Sequence, residues 1–79
     1  MTETERKLEL VTIAVTEKKS DNLYRDYWHG KISEQQYMDK LEELRTDTYM
    51  MIESFGVYEL ISREAEKRFR QWADLIISV

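Results

Sequence analysis

The sequence predicts an all-α fold, a helical hairpin followed by a third helix, and three observations carry that expectation. Two glycines, at 30 and 56, and no proline divide the 79 residues into three segments of similar length. Helix-start signatures open the first two segments. Apolar residues then recur mostly every three or four positions, the rhythm of a helix with one buried face.

In the first segment, Thr2 and Glu5 stand at capping-box spacing, where hydroxyl and carboxylate each take an orphan backbone N–H. A helix over residues 3–28 is therefore expected. The stretch LELVTIAV, residues 8–15, competes as a strand because it is rich in β-branched residues and alternates. Such a strand would have to pair with LIISV at 75–79 or with a second copy of itself. The capping box and the helical character of the other two segments decide for helix. As a helix, this segment carries two apolar stripes. Leu8, Val11 and Val15 form one; Ile13, Leu23 and Tyr27, with Thr16 and Ser20 between them, form the other. Either one stripe packs inside the chain and the other on a second chain, or a kink near KKSDN changes the buried face.

The second segment begins at the phrase HGKISEQQY. Gly30 can stop the first helix, with His29 beside it as a cap whose ring suits the negative dipole end. Ser33 and Gln36 make a second capping box, and Ile32 and Tyr37 stand at the spacing of a hydrophobic staple. A helix over 34–55 follows, with Tyr37, Leu41, Leu44, Thr48, Met51, Ile52 and Phe55 on its core face. Gly56 is expected to supply the left-handed residue that ends it. The third helix is expected over 57–77, with Val57, Ile61, Ala65, Trp72, Leu75 and Ile76 as its stripe and Tyr58 and Phe69 on the margin. A later start, capped by Ser62, would instead leave VYELI extended.

Composition narrows the function. There is no cysteine and only one histidine, which removes disulfides, thiolate chemistry and the usual zinc ligand sets. A single domain this short buries little surface for its size, so a homodimer or larger, or a partner-bound state, is expected. No apolar run approaches the roughly 20 residues of a membrane span, and the opening MTETERKLEL lacks the basic-then-apolar order of a signal peptide. A cytoplasmic protein is the reading. The net charge of −4 falls entirely in residues 34–56, where six acids meet only Lys40 and Arg45.

Catalytic signatures are absent: no phosphate loop, no nucleophile elbow, no pair of histidines. Asp39, Glu42, Glu43 and Asp47 could in principle hold a divalent cation, but they lie opposite the apolar stripe, where a solvated face belongs; no metal or cofactor is expected. Met50 sits in the middle of that acidic arc and Met38 and Tyr49 at its edge. An apolar spot rimmed by acids suits a protein partner with a basic rim. Met38, Asp39, Glu43, Asp47, Tyr49 and Met50 are therefore the candidate partner-binding residues, and the acidic helix could mimic nucleic-acid charge. Arg68 falls inside the apolar stripe of helix three, with Glu64 placed for an i,i+4 pair. Its stem could lie along the core edge, or it could anchor an interface together with Trp72, Ile13, Leu23 and Tyr27. A basic face of Arg63, Lys67 and Arg70 offers DNA binding as an alternative, against the acids Glu59, Glu66 and Asp74 on the same arc. A third possibility is a small-ligand site between subunits using Tyr24, Tyr27, His29 or Arg68. The sequence favours the first: a small acidic, non-enzymatic regulator, adaptor or inhibitor that binds another protein.

Overall fold

The computed structural model describes residues 2–77. Three helices fill them: α1 (Glu3–Trp28), α2 (Glu34–Val57) and α3 (Arg63–Ile77), each packed against the other two. At 1.5 Å per residue the 26 residues of α1 span about 39 Å, close to the 42 Å long axis of the molecule. Ser62 of the α3 start meets Glu5, and Arg68 further along α3 meets Glu9. Contacts thus advance together along α1 and α3, so the two run parallel, and α2 runs back between them.

Both expected capping boxes form. Glu5 N donates to Thr2 Oγ1 at 3.1 Å while the Glu5 carboxylate accepts from the Thr2 backbone. Ser33 and Gln36 repeat the exchange at 3.1 and 2.8 Å. The first segment is helix, not strand, and runs uninterrupted through KKSDN. Residues 75–77 of LIISV are likewise helical; its last two residues lie outside the described part.

Helix α1 ends as expected. His29 is its C-cap, donating its backbone N–H to Arg25 O, and Gly30 follows at a φ of +71°. Gly30 N–H to Tyr27 O and Lys31 N–H to Asp26 O complete a Schellman motif. Helix α2 ends differently. Gly56 stays inside the helix, and the left-handed residue is Glu59, at a φ of +59°. Glu59 N–H to Gly56 O and Leu60 N–H to Phe55 O form the same motif around a residue with a Cβ. A Cβ at Gly56 would stand 2.8 Å from a carboxylate oxygen of Glu66, whose side chain reaches from α3 to this point of α2.

Helix α3 therefore starts at Arg63 rather than Val57, with Ser62 Oγ accepting from Ala65 N at 3.1 Å. The late start turns its buried stripe. Ala65, Phe69, Ala73 and Ile77 face inward, joined by Ile61 from the turn, and Val57 and Leu75 are exposed. Phe69, expected on the margin, is among the most buried side chains in the molecule.

The core has two apolar ends. Ile52, Ile61, Ala65, Phe69 and Ala73 fill one, and Leu41, Leu44 and Ile77 the other, where Leu23 and Tyr37 join them. Thr12, Thr16 and Thr48 are also buried. The Thr12 hydroxyl has no hydrogen-bond partner, a cost in an interior that strongly favours paired polar groups. Of the two apolar stripes on α1, the one through Thr16, Leu23 and Tyr27 faces inward; Val11 and Val15 point out to the surface while Leu8 packs at the core edge. Beyond Ile77 the hairpin tip carries its own aromatic group. Tyr27 and Tyr37 stack with centroids 4.9 Å apart, Tyr24 meets Tyr37 edge-on, and Trp28 stacks on Tyr24.

Candidate functional site: the outer face of α2

On a helix, residues three, four and seven apart line one face. Asp39, Glu43, Asp47, Met50 and Val57 follow that spacing along α2, and all are exposed. The face divides into two zones. Asp39, Glu42, Glu43, Thr46 and Asp47 border a shallow acidic hollow in the first half of the helix. Toward the helix end, Met50, Glu53, Ser54, Val57 and Tyr58 border an apolar one. Met50 is 61%, Val57 72% and Tyr58 74% exposed, so this spot lies wholly outside the core.

Of the six residues the sequence nominated, the structure brings Asp39, Glu43, Asp47 and Met50 onto this face and leaves Met38 exposed at its margin. Tyr49 goes elsewhere. Its hydroxyl donates to Asp74 of α3, and Arg70 lies over its ring at 5.5 Å. The hydrogen bond to Asp74, burial and the aspartate charge together raise the Tyr49 pKa above the ordinary phenol value. Tyr49 is thus a joint between α2 and α3. Val57 and Tyr58 were missed because the third helix was expected to begin with them. The run Met50–Val57, one heptad apart on the same face, was the available signal.

The other nominated residues fall into separate places. Arg68 reaches across to Glu9 rather than back to Glu64, donating from Nε and Nη2 at 3.2–3.3 Å. Trp72 Nε1 donates to the same carboxylate at 3.0 Å. This group clamps α1 to α3 within the chain. Leu23 packs into the core and Tyr27 onto Tyr37, while Ile13 is half-buried. On the basic arc, Arg70 pairs with Glu66 at 3.0 Å as well as covering Tyr49, which leaves Arg63 and Lys67 as its exposed cations. Tyr24, Tyr27 and His29 gather at the hairpin tip. Arg68 lies at the level of Glu9, about 22 Å away along α1, so the four do not converge within one chain.

Among the described residues no three acids or histidines are placed to hold a metal ion. No described helix is long and apolar enough to cross a membrane. No protein-family model, curated protein or solved structure matches the chain.

Proposed function

We propose that the protein is a non-enzymatic regulator, adaptor or inhibitor of the cytoplasm that binds another protein stoichiometrically through the outer face of α2. One observation carries this reading: a row of carboxylates runs directly into an exposed Met50, Val57 and Tyr58 spot on the same helix. A solvated face has no use for three large apolar side chains side by side. A partner with a basic rim and an apolar centre uses both zones, the charges setting encounter and orientation and the apolar spot supplying affinity. Asp39, Glu43 and Asp47 recur about 6 Å apart along the helix axis, a regular negative row that suits a basic groove built for a nucleic-acid backbone.

The test is affinity capture from the source cell with wild-type protein and with two surface variants. Asp39→Lys/Glu43→Lys/Asp47→Lys is expected to lose the captured partner or to bind it with a flattened salt dependence. Met50→Asp is expected to weaken capture by about tenfold or more, the loss of roughly 1.4 kcal/mol. Equal retention of the partner by wild type and both variants would remove the α2 face from the reading. Competition by double-stranded DNA or RNA for the captured partner tests the mimicry directly.

A further inference from the structure

Seven consecutive residues of α1, Leu10 to Thr16, carry no charge. Thr12 and Thr16 face the core, which leaves Leu10, Val11, Ala14 and Val15 on the outer side, Leu10 62% and Val11 58% exposed. The apolar surface continues past the helix on both sides. Trp72 of α3, 40% exposed, reaches Glu9 beside Leu10, and Val15 shares a small cleft with Met51 of α2. Of the two acids that flank the band, Glu9 is taken up by Arg68 and Trp72, while Glu17 is exposed at its other end. The band exposes on the order of 500 Å² of apolar surface, at the upper end of what a monomer presents. A standard interface takes about 800 Å² from each partner, so the band is of the size to form the apolar centre of such an interface, with the charged residues around it as the rim.

We infer that this face docks a second copy of the chain, α1 against α1 in antiparallel orientation. The flanking charges select both the copy and the direction. Lys7 precedes the band on the same outer stripe, with Glu3 one turn earlier; Lys18, Asp21 and Arg25 follow it. Parallel pairing would set each of these against its own twin, lysine on lysine and aspartate on aspartate. Antiparallel pairing about a two-fold axis near Ala14 sets Lys7 against Asp21 of the other copy and Glu3 against Arg25, with Leu10, Val11, Ala14 and Val15 between them and Lys18 set over Leu10 at the edge of the band. Such an axis makes the interface isologous, so every favourable pair occurs twice. The small Ala14 side chain at the crossing lets the two helices approach closely. The Lys7–Glu3 pair seen within the chain is almost fully exposed and gives way readily. A second copy also covers apolar surface that a domain of this size is poorly placed to leave in water.

Sedimentation equilibrium of the full chain at physiological salt tests the inference. The wild type is expected to show a monomer–dimer equilibrium. Val11→Lys is expected to weaken it by about tenfold or more with the circular-dichroism helix signal unchanged. Lys7→Asp and Asp21→Lys are each expected to weaken the dimer, and the two together to restore it. Recovery in the double variant supports antiparallel pairing, because a parallel dimer never brings these two positions together. A wild type that stays monomeric at about 1 mM, or a dimer indifferent to Val11→Lys, overturns the proposal; no recovery in the double variant overturns the antiparallel register. Asp39→Lys and Met50→Asp on α2 are expected to leave the dimer intact, so failure here is distinguishable from failure of the partner-binding reading.

Discussion

Glu59 holds a φ of +59°, the one non-glycine residue with positive φ among those described. A side chain in the left-handed region crowds its own backbone, at a cost of about 1–2 kcal/mol. Gly30 occupies the same position at the end of α1 without that cost. Glu59→Gly is therefore expected to stabilise the protein by about 1 kcal/mol, part of the relief being offset by the extra freedom of glycine in the unfolded chain. Gly30→Ala is expected to destabilise by a similar amount. Urea denaturation of the two variants checks both signs, and a destabilised Glu59→Gly variant would sink the strain argument.

The helices themselves were largely legible in the sequence because their start signals are local. Thr2 with Glu5 and Ser33 with Gln36 need only residues three apart, and both boxes form. The end of α2 was not legible, because glycine is the usual left-handed stop and Gly56 stood at a plausible place. Gly56 instead continues the helix, with the Glu66 side chain of α3 beside it, and the turn falls to Glu59. That displacement moved the start of α3 and rotated its buried face, burying Phe69 and exposing Leu75. The same displacement hid the apolar half of the candidate site, since Val57 and Tyr58 were counted toward the wrong helix. Arg68 could be picked out as unusual within its helix, but its partner Glu9 is 59 residues distant and no local spacing reveals it. Between α1 and α3 this carboxylate accepts from both Arg68 and Trp72. Glu9→Ala is expected to cost about 1–2 kcal/mol, in the range for hydrogen bonds to charged groups at a partly exposed site. Thermal unfolding measures it; a loss within error would make the clamp incidental.

At the scale of the molecule, Glu5 joins the starts of α1 and α3. Burial would raise its pKa, but hydrogen bonds with Thr2 and with Ser62 outweigh it and hold the carboxyl below its ordinary value of 4.5. The charged form is thus favoured in the folded state. Its contribution is fully present above about pH 4.5 and is lost as pH falls through the lower folded pKa. Glu5→Gln is expected to flatten the acid limb of the stability profile in that window, read as the melting temperature between pH 3 and 6, with roughly one ionisation removed. An unchanged acid limb would show that Glu5 is not coupled to folding.

The parallel placement of α1 and α3 has a kinetic consequence. The α1–α2 hairpin closes through neighbours in sequence, such as Tyr27 on Tyr37. The seam between α1 and α3 joins residues about sixty positions apart, Glu5 with Ser62 and Glu9 with Trp72. Loop closure makes such contacts late to form. Loop closure therefore favours the two short-turn hairpins, α1–α2 and α2–α3, over the α1–α3 seam, so Glu9→Ala is expected to act mainly by speeding unfolding while leaving the folding rate near that of the wild type, which stopped-flow denaturation checks. On that expectation the Glu9 clamp governs how long a folded molecule lasts, and the short-turn contacts govern how quickly one appears.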